Sequence, residues 1–173
     1  MSDRGLVMVY TGNGKGKTTA ALGLALRRSG HGGRVVMIQF MKGRTYGELK
    51  AAEHVPGLEI IMAGRDVFVD RDNPEEIDIK MAREALVKAQ KLALSGQVDM
   101  LILDEVNVAI DYGLLTIAEI LDLMNTKSPA MDLVLTGRGA PPAIVKAADM
   151  VSEVLEIKHH YQEGIDARHG IEF

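Results

Sequence analysis

Apolar runs of strand length recur along the chain at Leu6–Tyr10, Val35–Phe40, Leu58–Met62, Met100–Leu103, Leu133–Leu135 and Val151–Ile157. Most show no alternation with polar residues, the pattern of strands covered on both faces of a sheet. Between them the periodicity changes. After Asn73-Pro74-Glu75-Glu76, residues Ala82, Ala85, Leu86, Ala89, Leu92 and Ala93 mark one face of a helix, and Gly96 stops it. Asn73 is expected to cap that helix, with Pro74 at its first position and the acids at its positive end. Thr116-x-x-Glu119 has the capping-box pattern of another helix that ends before Ser128-Pro129. The alternation predicts an α/β fold, a mainly parallel sheet with helices on both faces, and ligands beyond the carboxyl ends of the strands. No repeat or linker interrupts it, and 173 residues suit one domain spanning 1–173.

The first run leads into Thr11-Gly12-Asn13-Gly14-Lys15-Gly16-Lys17-Thr18-Thr19, followed by the small-residue helix Ala20–Arg27. Strand, glycine loop and helix together form a phosphate cradle. Glycines let backbone N–H groups turn inward around phosphate oxygens, and the positive end of the helix adds to the attraction. Lys17 supplies a point charge and Thr18 a hydroxyl for Mg²⁺. A turn that merely joined strand to helix would need neither two lysines nor the Gly-Lys-Thr ending. The usual phosphate-loop pattern has glycine where this chain has Thr11, so phosphates are expected to lie differently here than in an ordinary ATPase.

Met100-Leu-Ile-Leu-Asp104-Glu105 is an apolar strand that ends in two acids, the arrangement that completes a Mg²⁺ site across a sheet edge. Neighbouring strand residues point to opposite sides, so one acid is expected to reach the metal and the other to brace a loop. Glu105 is assigned to the metal and Asp104 to the bracing role. Arg138 follows the fifth run, where it can contact phosphate or ribose, or make a surface ion pair.

Composition narrows the classes. The absence of cysteine excludes disulfides, thiolate metal sites and a thiol nucleophile. A net charge of −4 with three Phe, four Tyr and no Trp argues against a nucleic-acid partner. No apolar run is long enough for a membrane span or a signal segment, so a cytoplasmic protein is expected. His159, His160 and His169 lack the spacing of a zinc site, and the ten methionines read as core filler.

The run Tyr10–Ala21 resembles the phosphate loop of ATP:corrinoid adenosyltransferases of the CobA/CobO/BtuR type. Gln39-Phe-Met-Lys-Gly43, Leu103-Asp-Glu105, Leu135-Thr-Gly-Arg-Gly139 and the tail Lys158–Phe173 resemble further motifs of that family, in its order. The resemblance implies a RecA-like P-loop NTPase fold, a homodimer, ATP and a reduced corrinoid as substrates with Mg²⁺, and a separate electron-donating reductase. It also implies that ATP lies in the loop in the reverse sense, and that the 5′-deoxyadenosyl group passes to Co(I) with release of triphosphate. On that reading Lys17, Glu105 and Lys15 are catalytic. Gly12, Asn13, Gly14, Lys15, Gly16, Lys17, Thr18, Thr19 and Arg138 bind ATP, Thr18 and Glu105 hold the metal, and Phe68 faces the corrinoid. Tyr46 and Tyr112 lie in loops near the ends of predicted strands, where either can line the corrinoid cleft, and Tyr112 is assigned to it.

The chain departs from the family in two places. Only about five residues precede the first strand on the pattern reading, where the family usually has a long covering segment. Asp70 stands where many members have a Trp. The alternative function is a P-loop kinase or ATPase attacking at the γ-phosphate, for which the same loop, Glu105 and Arg138 would serve.

Overall fold

The computed structural model describes residues 4–44 and 46–171. Its strands are β1 (Val7–Thr11), β2 (Val35–Phe40), β3 (Leu58–Ala63), β4 (Met100–Asp104), β5 (Asp132–Thr136) and β6 (Met150–Glu153). They form one sheet in the order β3-β2-β4-β5-β1-β6, with every pair parallel. The helices are α1 (Lys17–Gly30), α2 (Gly47–Ala52), α3 (Glu76–Leu94), α4 (Val106–Asp111), α5 (Ile117–Thr126) and α6 (Pro142–Ala147), with a short 3-10 turn at His160–Glu163.

Period-two alternation divides the central strands between two cores. Val36, Ile38, Leu101, Leu103, Leu133 and Leu135 pack with Ala82, Leu86 and Ala89 of α3 and with Ile120 and Leu123 of α5. Val35, Met37, Met100, Ile102 and Val134 face the other way, against Ala21 and Ala25 of α1. The alanines let a helix backbone lie close to the sheet, and each fully buried Leu or Ile contributes about 2 kcal/mol. This two-sided cover explains the absence of polar alternation in the apolar runs. Among the described residues no helix is long and apolar enough to cross a membrane.

The sheet order determines where the site lies. Strands β1 and β4 are separated only by β5, so the ends of all three meet at the carboxyl edge within two strand spacings, about 10 Å. The loops after Thr11, Asp104 and Thr136 converge there.

Several boundaries differ from the sequence expectation. Asn73 does not cap α3; Glu75 occupies the cap position, and its carbonyl accepts from the Asp78 and Ile79 N–H groups. The cause is Arg65, whose guanidinium forks onto Asp78 at 2.8 and 2.7 Å and reaches Glu75 at 3.1 Å, pinning that turn to the end of β3. The expected strand at Val151–Ile157 is observed as the shorter β6, because from Val154 the chain turns beneath the glycine loop. The Thr116–Glu119 capping box forms as expected.

Hydrogen bonds from Arg65 hold the Asp78 carboxyl below the usual carboxylate range, against the opposing effect of burial. A depressed folded value stabilises at pH above the unfolded value of about 4, and that stabilisation is lost as pH falls through the folded value. Arg65→Met should therefore melt a few degrees below wild type at pH 7, with the gap closing in acid, as calorimetry at several pH values would show. A gap that did not change with pH would assign the loss to packing alone.

Candidate active site

Residues 12–16 link β1 to α1 in a conformation that glycine makes possible. Gly12 and Gly16 have φ of 95° and 112°, in the left-handed region. A Cβ on Gly12 would lie 2.5 Å from the Val154 carbonyl oxygen, and one on Gly14 2.5 Å from that of Leu155. The loop is stitched to this support: the Gly14 N–H donates to Val154 O at 2.8 Å, and the Val154 N–H to Thr11 O at 2.8 Å. Thr11, where glycine was expected, accepts from the Ala140 N–H at 3.1 Å through its hydroxyl and so ties the loop to the chain after β5. Gly14→Ala should force loop and support apart, destabilising by about 1–3 kcal/mol and weakening ATP binding at least tenfold. Calorimetric titration and melting check this; wild-type values in both would contradict it.

Lys17 opens α1 and is buried, with its Nζ 2.6 Å from the Gly14 carbonyl oxygen. Burial pushes the ammonium below its ordinary range and the Arg138 charge adds to this, while Glu105 and Asp104 oppose it. It is a cation held over the loop with incomplete compensation. Lys15 is exposed and reaches the Ile171 carbonyl oxygen at 3.3 Å. Asn13 is exposed on the loop, and Thr19 lies on the first turn of α1.

The two acids do different things. Asp104 ends β4 with no exposed surface. Its Oδ1 accepts from the hydroxyls of Thr18 at 2.9 Å and Thr136 at 2.6 Å, and its Oδ2 from Lys42 Nζ at 2.8 Å and Gln39 Nε2 at 3.2 Å. Gln39 donates also to Glu48, at 3.2 Å. Burial disfavours the charge on Lys42, but Asp104, with help from Glu48 and Glu105, overcomes it and holds the ammonium above its ordinary range.

Glu105 does not continue the strand. Its φ of 60° swings it out of the sheet at the start of α4, so strand alternation does not separate the two acids as expected. The Thr136 hydroxyl accepts its N–H at 2.9 Å and secures the turn. Burial, then the charge of Asp104, raises the Glu105 carboxyl above the usual range, opposed by Lys42, Lys17 and Arg138.

Two clefts flank the loop. One, of about 300 Å³, is lined by Lys15, Lys17, Thr18, Thr19, Lys42 and Glu105 among others; the second, of about 340 Å³, by Gly14, Lys15, Lys17, Glu105, Tyr112, Arg138 and His159. Lys15, Lys17 and Glu105 belong to both. Tyr112 is half-buried beside α4, but Phe68 is fully exposed over a small groove with Met41 and Arg65 that shares Lys42 and Tyr46 with the first cleft. The structure thus brings the loop, Glu105, Arg138 and Tyr112 together, while Phe68 lines neither cleft and stands over the groove next to the first. Sequence reasoning assigned no role to Lys42, Gln39, Glu48 or Thr136. Gln39, a polar residue in a wholly buried strand, and the Gln39–Gly43 motif that holds both it and Lys42 were the available signals.

Comparison with known proteins follows the same lines. Residues 3–173 match the family described as ATP:corrinoid adenosyltransferase BtuR/CobO/CobP. The corrinoid adenosyltransferase of Escherichia coli K12 is 34% identical over 99% of this chain and 87% of its own length. That of Pseudomonas aeruginosa is 34% identical over 99% and 85%. The corrinoid adenosyltransferase CobA of Salmonella typhimurium is 34% identical over 99% and 87%. With a match over nearly its whole length and a glycine loop, acidic pair and arginine gathered at one sheet edge, this chain belongs to the ATP:corrinoid adenosyltransferase family and is a transferase.

Proposed function

We propose that the chain transfers the 5′-deoxyadenosyl group of ATP to the Co(I) centre of a corrinoid and releases triphosphate. The observation that carries this reading is the cationic loop, with Lys15, Lys17 and Arg138 lining one cleft beside Glu105 in a member of this family. The cobalt lone pair forms the Co–C bond to C5′ while the C5′–O bond breaks, and its electrons leave on the triphosphate. No proton need move, so the protein's work is to hold C5′ in line and to stabilise the departing oxygens. Lys17, Lys15 and the loop N–H groups meet that charge, Gly12 to Thr19 cradle the chain of phosphates, and Arg138 approaches from the end of β5.

The residues fit a Mg²⁺ ion. Four donors fill the two oxygens of Asp104, which leaves, among the described residues, Glu105 on both clefts, with the Thr18 hydroxyl and Glu48 on the first, as oxygens toward a metal. Mg²⁺ suits so small a set because it keeps waters and substrate phosphates as its other ligands. When bound, it would neutralise phosphate charge; Asp104 would orient Thr18. Tyr112 borders the second cleft, where the corrinoid would approach, and Phe68 offers an exposed apolar contact outside it. Action in the cytoplasm, as a homodimer supplied with Co(I) by a reductase, completes the reading.

The test is product identity with ATP, Mg²⁺ and chemically reduced corrinoid. A light-sensitive carbon–cobalt product with stoichiometric triphosphate is expected. Diphosphate with free phosphate or a phosphorylated acceptor would establish γ-phosphate chemistry instead.

A further inference from the structure

The cleft beside Arg138 has one wall that the loop and sheet do not supply. After β6 the chain passes under Gly12 and Gly14, emerges, and brings His159 to the cleft lined by Gly14, Lys15, Lys17 and Arg138. His159 is half-buried and is held by its neighbours rather than by the core. Its Nδ1 accepts the Tyr161 N–H at 3.2 Å, which caps the His160–Glu163 turn. The His160 ring stacks on it with centroids 4.6 Å apart. Lys158 pairs with Glu163 at 2.7 Å and Gln162 donates to Glu156 at 2.7 Å, so both ends of the turn are closed.

These contacts select a tautomer. A neutral imidazole has one N–H and one bare nitrogen, and a nitrogen that accepts a backbone N–H must be the bare one. The proton is therefore on Nε2, on the far side of the ring from Tyr161. The ring thus has one N–H, on a residue of a cleft whose other polar members are three cations, Glu105 and Tyr112. A fixed donor among cations recognises an anion.

We propose that His159 is a nucleotide-contacting residue, its Nε2–H donating to the triphosphate chain of ATP in the cleft it shares with the glycine loop. This rests on the reading of that loop as a polyphosphate site. It gives the segment after β6 two tasks: its first residues support the loop from below, and its turn closes on the ligand from the side.

The experiment uses inorganic tripolyphosphate with Mg²⁺ and the full chain, so neither corrinoid nor turnover enters. His159→Asn keeps an acceptor near the Nδ1 position, and with it the turn, but lacks a donor at the Nε2 position; His159→Gln extends an amide N–H to about that position. Titration calorimetry should show about tenfold weaker binding for His159→Asn and binding within about threefold of wild type for His159→Gln, as expected for one hydrogen bond to a charged acceptor. In ¹⁵N-histidine spectra of wild type, tripolyphosphate should shift the His159 Nε2 resonance more than Nδ1. Wild-type affinity in His159→Asn, equal losses in both variants, or an unmoved Nε2 resonance would each overturn the assignment. A wild-type chain that ignored tripolyphosphate would overturn the polyphosphate reading of the loop, and His159's role with it.

Discussion

Lys17→Ala is expected to lower turnover at least about a thousandfold while leaving the melting temperature near that of wild type. The Lys17 ammonium rests on a neutral carbonyl, Gly14 O, inside its own loop. A phosphate oxygen would replace that weak partner with a charged one in a site where water is scarce, so the gain would be largest when charge peaks on the leaving group. A thousandfold is about 4 kcal/mol of transition-state stabilisation, at the upper end for one oxyanion contact. Stability should move little, because burial disfavours the ammonium and so offsets what its bond to Gly14 O contributes. Steady-state kinetics and calorimetry on the same preparation separate the two effects; retained turnover would remove Lys17 from the mechanism.

Lys42→Met should have the largest effect on stability. Asp104 has no exposed surface and four donors, of which only Lys42 carries a charge. Removing that partner leaves a buried carboxylate with three neutral donors, a change of about 3 kcal/mol, at the low end for a broken buried pair. The same change should depress turnover, since Asp104 also receives the Thr18 hydroxyl. Lys42→Met with Asp104→Asn removes both charges and should recover at least half of the lost stability but not the activity. Denaturant titration of the two single variants and the double variant forms the cycle, and additive losses would show that the pair is uncoupled.

The physical reach of each pattern determined what could be read in advance. Strands β2 and β4 were legible because a strand covered on both faces must be apolar throughout, and α3 because nineteen residues give periodicity room to show. Helices α2, α4 and α6, at six residues each, complete fewer than two turns and leave no such trace. The glycine loop was visible because its chemistry is contiguous. The Lys42–Asp104–Gln39–Glu48 network was not, because sheet order, not spacing, brings Gln39 beside a residue 65 positions away. Asn73 lost the helix cap to Arg65, an ion-pair partner eight or more residues upstream that no local rule weighs. Tyr112 is at the cleft and Phe68 is not, although both were aromatic residues in loops near strand ends.

Gly12 and Gly14 lean on Val154 and Leu155, which are made long after them. A chain emerging from the ribosome therefore carries its glycine loop unsupported until the sixth strand has appeared and docked. Nascent chains halted before residue 150 should wash free of labelled ATP, while released full-length chains retain it. The protein would thus be born unable to sequester nucleotide, and would gain that capacity in one late step of its synthesis.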